Sequence, residues 1–278
     1  LFAVDVYKQR MSNFKILITS QKGGVGKSTV AANLAAFMRR LGKSVTLIDF
    51  DSHASSSNWL NHAPQIGISV QRHMLPFEQA GKQPILDARL QLRRAADRSE
   101  VVVCDLTWTD AIYSELMLEF DLVIVPTSVS EIELSATADF LKQHRWVFDN
   151  TVLANTPTLL MCPTRVRAEQ LRSNVFSTQR FPVSFMLTPP ILEAQSARDM
   201  FEQGYLSDLT DDCGTSFKEF GKAVIAALNV RQARLASREA KKTTVKRALT
   251  STQAKTNSLA SIRIPQFFKR MSLGMSNK

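Results

Sequence analysis

Lys22-Gly23-Gly24-Val25-Gly26-Lys27-Ser28-Thr29 is the stretch whose reading decides the fold. It follows the apolar run Phe14-Lys15-Ile16-Leu17-Ile18-Thr19-Ser20, which reads as a buried strand. It opens an alanine-rich segment, Val30 to Leu41, with helical spacing and a Gly42 stop. Strand, glycine turn and helix in that order are the setting a phosphate-binding loop requires. Glycines let backbone N–H groups close around phosphate oxygens, Lys27 adds a charge at the β/γ position, and Ser28 is placed to hold magnesium. Gln21 stands where the common G-x-x-x-x-G-K-S/T pattern has its first glycine, and an extra lysine, Lys22, precedes the glycines instead.

Short apolar runs and helical segments alternate on either side of this loop. The pattern predicts strands over 14–20, 44–50, 67–72, 100–105, 121–126, 156–162 and 182–187, and helices over 28–41, 85–97, 109–118, 131–148, 166–178, 191–203 and 214–229. Val101-Val102-Val103-Cys104 and Leu122-Val123-Ile124-Val125 lack polar alternation, so both read as strands covered on two faces. The expected architecture is α/β: a doubly wound, mostly parallel sheet with helices on both faces and ligands at the carboxyl ends of its strands. The expected domains are an N-terminal extension over 1–13, a nucleotide-binding body over 14–229, and a basic C-terminal tail over 230–278 that carries a short amphipathic helix. Met11-Ser12-Asn13 looks like a natural start, which makes residues 1–10 an expected upstream extension.

Two strand ends carry further chemistry. Leu47-Ile48-Asp49-Phe50-Asp51 places two carboxylates where side chains leave a sheet and meet ligand. Val101-Val102-Val103-Cys104-Asp105 is an apolar strand that delivers an aspartate to Mg2+, usually through water.

The early lysine, paired glycines, second lysine and Ser-Thr, all in register, resemble the deviant Walker A motif of the ParA/MinD family of P-loop ATPases, and short ParA-type partition ATPases in particular. The resemblance implies ATP and Mg2+ as cofactors. Nucleotide would be bound by Lys22, Gly23, Gly24, Val25, Gly26, Lys27, Ser28, Thr29 and Arg165, and the metal by Ser28, Asp49 and Asp105. Lys22, Lys27 and Asp51 take the catalytic roles. Lys22 would reach across a nucleotide-sandwich homodimer, and Asp51 would orient or activate the attacking water, with Asp49 as support near the metal. Three departures stand out. Ser52-His53-Ala54 replaces the Pro-Gln that often follows the second aspartate, and Leu106-Thr107-Trp108 replaces Thr-Pro after Asp105. Leu159 to Val166 falls where relatives carry an Asn-Arg-Val adenine contact, with Pro163 or Thr164 in the asparagine's place. No Asn-Lys-x-Asp guanine motif occurs, which favours ATP over GTP.

Charge is placed unevenly along the 278 residues. The net charge is +10, and from Arg231 to Lys278 there are 12 Lys/Arg against one acid, Glu239, so the whole excess belongs to the tail. Such asymmetry points to a polyanionic partner. On a helical wheel Arg231, Arg234, Arg238, Lys241, Lys242 and Lys246 form a basic rail suited to non-specific phosphate contacts on duplex DNA. Ile264, Phe267, Phe268, Met271 and Met275 form an apolar stripe, so 264–275 is a candidate for membrane association. Cys104, Cys162 and Cys213 show no metal-ligand spacing, and no signal peptide or spanning run is evident, so the expected location is cytoplasmic.

The resemblance implies an ATP-hydrolysing dimeric switch for plasmid or chromosome partition, weak alone and stimulated by a centromere-binding adaptor protein. A MinD-like membrane-associated positioning ATPase is the alternative. A cluster-sharing reductase would need exposed paired cysteines, and a tyrosine kinase a tyrosine-rich tail, whereas Tyr7, Tyr113 and Tyr205 all precede residue 230.

Overall fold

The computed structural model describes residues 13–75, 83–149, 156–172, 179–201 and 203–260, giving only the path of the helix at 239, 241–242 and 244–260. The predicted strands appear as β1 (Phe14–Ser20), β2 (Val45–Asp49), β3 (Ser69–Arg72), β4 (Val101–Thr107), β5 (Leu122–Thr127), β6 (Thr158–Pro163) and β7 (Met186–Leu187), the last keeping only two residues of the expected 182–187. They form one seven-stranded sheet, in the order β3-β2-β4-β1-β5-β6-β7. Every pairing is parallel. The chain leaves β1 toward β2 and β3, returns through β4, and then crosses to β5 on the far side of β1. Such a reversal opens a crevice at the carboxyl end of β1, where doubly wound sheets bind ligands.

Both faces of the sheet are covered. Ile16, Ile18, Val101 and Val103 pack with one core cluster, together with Ala31, Leu34, Phe217 and Phe220. The alternating neighbours Leu17, Val102 and Cys104 pack on the opposite side with Leu92, Phe140 and Leu141. Period-2 alternation with apolar residues on both faces explains why these strands read as unbroken hydrophobic runs. Each such side chain contributes roughly 1.5–3 kcal/mol on burial.

The helices are α1 (Lys27–Arg40), α2 (Ser55–His62), α3 (Gln83–Ala96), α4 (Glu131–Gln143), α5 (Arg145–Asp149), α6 (Gln195–Asp199) and α7 (Asp212–Ala260). Several differ from expectation. The segment expected as a helix over 109–118 is a 3-10 turn at Ser114–Glu119, and 131–148 divides at His144 into α4 and α5. In the expected helix over 166–178 the described part, 166–172, shows a 3-10 turn at Ala168–Arg172 while 173–178 lies outside the described residues, and 191–203 shortens to α6. Helix α2 was not anticipated.

Contacts divide the chain into two units, Leu1–Arg231 and Gln232–Lys278. Arg231 corrects the expected basic rail. Its Nε donates to Asp121 Oδ1 at 2.9 Å and one terminal N–H donates to the Thr156 carbonyl at 2.6 Å. The other oxygen of Asp121 accepts from the Lys15 backbone at 2.9 Å. A buried cation so paired belongs to the body and offers no charge to a partner. In the second unit Arg234 and Arg238 are exposed along α7. The stripe over 264–275 and the extension over 1–10 lie outside the described residues. Among the described residues no helix is long and apolar enough to cross a membrane.

Candidate functional site

The loop between β1 and α1 is shaped by two left-handed glycines, Gly24 (φ +77) and Gly26 (φ +86). A Cβ at Gly24 would meet nothing within 4 Å, and one at Gly26 only Thr164 at 3.8 Å. Backbone conformation, not crowding, therefore selects glycine at both positions. Gly23 has no such constraint, and nothing in the structure explains a glycine there. Gly26 is the N-cap of α1 but supplies no capping side chain, so the first amides of the helix stay available to an anion. The two lysines differ in setting. Lys27 is buried at the start of α1, whereas Lys22 is exposed and has no ion pair among the described residues.

The carboxylates follow from strand register. β2 and β4 pair with Asp49 opposite Asp105. Two residues on, alternation brings Asp51 beside Thr107, and the Thr107 hydroxyl donates to Asp51 Oδ2. Asp49 is fully buried and both of its carboxylate oxygens are partnered. It accepts from Asp51 N at 3.0 Å, Ser56 Oγ at 2.9 Å and Ser57 N at 2.8 Å. It thereby caps α2, whose N-cap residue, Ala54, has no side chain to do so.

Asp105 is equally buried, yet neither carboxylate oxygen has a hydrogen-bond partner. Burial pushes its pKa up to about 6, against the nearby Ser28 hydroxyl, with the Asp49 charge adding to the rise and Lys27 and Ser56 opposing it. Asp51 is displaced the other way. Burial works against ionisation there, but the Thr107 hydroxyl, the His53 N–H and the Lys27 charge outweigh it and hold the carboxyl below its ordinary value.

An orphaned buried carboxylate beside a serine hydroxyl fits a hard divalent cation with oxygen ligands. Among the described residues no group of three or more His, Cys, Asp and Glu could hold a metal alone. Magnesium characteristically takes one or two protein groups and fills its shell with phosphate oxygens and water.

A cavity of about 400 Å³ opens beside the loop, walled by Gly26, Thr29, Trp59, Thr164, Arg165 and Ile191. Arg165, with a left-handed backbone (φ +55), donates from its guanidinium to the Gly24 carbonyl at 3.0 Å. At the two positions where an asparagine was expected, the Pro163 carbonyl accepts from Ile191 N at 2.8 Å, and Thr164 Oγ1 donates to the Val25 carbonyl at 2.8 Å. Both groups serve the scaffold of the loop. Asn33 of α1 accepts from Leu206 N at 2.7 Å and donates to the Thr29 carbonyl, tying the wall of the cavity to the start of α1.

The structure thus gathers Lys27, Ser28, Asp49, Asp51 and Asp105 at the carboxyl ends of β1, β2 and β4, with Arg165 against the loop and Lys22 at its outer edge. Four contributors were given no site role from the sequence: Thr107, Ser56, Trp59 and Thr164. Thr107 was findable from register, lying two residues past Asp105 as Asp51 lies two past Asp49. The other three depend on where the unanticipated helix α2 and the end of β6 fold back.

The profile of the CobQ/CobB/MinD/ParA nucleotide binding domain matches residues 16–264. The chromosome-partitioning ATPase Soj of Thermus thermophilus is 44% identical over 54 residues, 19% of this chain and 22% of that protein. The sporulation initiation inhibitor protein Soj of Bacillus subtilis is 27% identical over 146 residues, 52% of this chain and 50% of that protein. The chain therefore spans half or less of these two relatives in their matched regions. Among solved structures, a plasmid partition protein from Borrelia burgdorferi B31 bound to AMPPNP superposes with a TM-score of 0.59 at 18% identity, covering 77% of this chain and 99% of that one. At that identity the likeness speaks for the fold alone.

Proposed function

We propose, from the premise that the chain belongs to the CobQ/CobB/MinD/ParA family of nucleotide-binding domains, that it is an ATP-hydrolysing dimeric switch for plasmid or chromosome partition. Lys27 and the amides of the Gly24–Gly26 turn bind the β- and γ-phosphates, and the cavity beside Arg165 receives the base. Ser28 and Asp105, with Asp49 in support, would hold magnesium, which would supply neutralising charge to the phosphates. Asp51 orients the attacking water. Lys22 reaches the phosphates of a second copy, so that two protomers close only around intact ATP. Hydrolysis of this kind rests on positioning and charge neutralisation, which two lysines and a carboxylate can supply.

The observation that carries this reading is the contrast of lysines: one buried at the helix start, the other exposed and unpaired among the described residues at the mouth of the same loop. The name of the Thermus relative, a chromosome-partitioning ATPase, supports a partition role. All three cysteines are free and buried, an arrangement unlike a surface cluster shared between subunits. In the ATP-bound dimer the paired tails would engage DNA without sequence preference, and a centromere-binding adaptor would accelerate hydrolysis and release.

Sedimentation of Asp51→Ala with saturating Mg·ATP tests the switch. A dimer with ATP, a monomer with ADP, and a monomer on adding Lys22→Ala are expected; a monomer in every state refutes it. The DNA arm is read as salt dependence. Charge reversal at Arg234 and Arg238 should flatten the slope of log affinity against log salt by roughly 0.9 per lost contact. An unchanged slope would move the DNA contact to the body.

A further inference from the structure

We infer that Thr107 is a positioning residue for hydrolysis, fixing the Asp51 carboxylate through its side-chain hydroxyl. This rests on the reading of Asp51 as the group that orients water. β4 does not stop at Asp105. It continues in register against β1, with Asp105 opposite Ile18 and Thr107 opposite Ser20. Trp108 N donates to the Ser20 carbonyl at 3.1 Å, and Thr19 Oγ1 donates to the Leu106 carbonyl at 2.7 Å. The Trp108 ring then buries itself edge-on to Phe140 and His144, at 6.2 and 5.2 Å between centroids. Thr107 is thereby held on both sides by a strand that cannot shift without unpacking the core.

Asp51 has no such footing. β2 ends at Asp49, and Asp51 stands in the turn that leads to Ala54. Its own N–H is tied to Asp49 at the end of β2 and its carbonyl accepts from Ala54 N, whereas its carboxylate is met locally only by the His53 N–H, at 3.2 Å on Oδ1. The bond from Thr107 to Oδ2 is the contact that refers that carboxylate to the rigid sheet. A carboxylate keeps lone pairs beyond those two donors, so a water can still be held by it. In the chemical step the water oxygen bonds to the γ-phosphorus as the bond to the bridging oxygen breaks. ADP leaves with that electron pair, and the water's protons pass to phosphate and solvent. Thr107 takes no part in these transfers. It sets the direction from which Asp51 meets the water, and orientation is most of what such catalysis requires.

The test compares Thr107→Val, which keeps shape and removes the hydroxyl, with Thr107→Ser, which keeps the hydroxyl. Valine should lower kcat roughly tenfold, the loss of one charge-assisted hydrogen bond, with KM for ATP within about twofold of wild type. Serine should restore kcat. An unchanged kcat in Thr107→Val overturns the inference. So does a serine variant that behaves like valine, which would mark Thr107 as packing only. If wild type turns over no ATP, the proposed function fails first. Crystal structures of wild type and Thr107→Val without nucleotide then decide Thr107 separately: an Asp51 carboxylate that leaves its wild-type position in the valine variant upholds the inference, and one that stays in place overturns it.

Discussion

The carboxyl ends of β2 and β4 lie side by side in one sheet, with Asp49 opposite Asp105, and they treat these two buried aspartates in opposite ways. At the end of β2 the chain turns back, and Asp51, Ser56 and Ser57 give Asp49 three hydrogen-bond donors. At the end of β4 the strand runs straight on, and Asp105 receives none. Leaving a buried charge without partners is costly, and proteins retain it mostly where a ligand completes it. The difference teaches which carboxylate holds the protein together and which is kept for something the protein binds. Asp49 is a helix cap that also fixes Asp51. Asp105 keeps two unpartnered oxygens beside Ser28, and in the proposed function these receive the metal.

The comparison can be broken by substitution. The largest effect is expected at Asp51, on the β2 side. Asp51→Ala should lower kcat by roughly 10²- to 10³-fold, as loss of a preorganised polar group does, with ATP affinity near wild type in equilibrium titration. Lys27 serves both strand ends, and Lys27→Ala should weaken ATP binding roughly 100-fold, the scale of a lost bond or two to a charged phosphate. Asp105 sharpens the contrast through pH. Its folded pKa of about 6 lies above the ordinary carboxylate value of 3.8, so the folded state holds its proton longer than the unfolded one. Wild type without nucleotide therefore loses stability as pH climbs through that window. Asp105→Asn cannot ionise, so thermal melts should show the variant gaining on wild type by roughly 2–3 kcal/mol between pH 4 and pH 8; a pH-independent gap would contradict the burial argument. The smallest effect belongs to the cap. Ser56→Ala should cost about 1 kcal/mol of stability in denaturant melts, while the stabilisation given by Mg·ATP stays intact.

Much of this was legible in the residues because the relevant signals are local. The loop glycines, Lys27 and the unbroken apolar runs of β1, β4 and β5 depend on neighbours within a few positions, and each element came out where the pattern put it. Helix α2 escaped because Ser55-Ser56-Ser57-Asn58 is a poor helix sequence. It forms because Asp49 caps it and because Trp59 and Leu60 are buried, Trp59 donating to the Gly204 carbonyl at 3.0 Å. Those partners are remote in the chain. The single helix expected over 131–148 breaks where His144 turns inward to bond Ser114 and pack edge-on against Phe140. Arg231 looked like the first member of a basic stripe because periodicity records spacing and not partners; Asp121, 110 positions away, claims it. Thr107 lay in plain sight, but its meaning needed the register between β2 and β4.

ATP affinity measured with and without magnesium, in wild type and in Asp105→Asn, tests the central claim most directly. Wild type should bind ATP more tightly when magnesium is present, and the asparagine variant should keep its magnesium-free affinity while losing that gain. A variant that still gains the full magnesium increment would show that the unpartnered carboxylate of β4 is not where the metal–nucleotide complex docks.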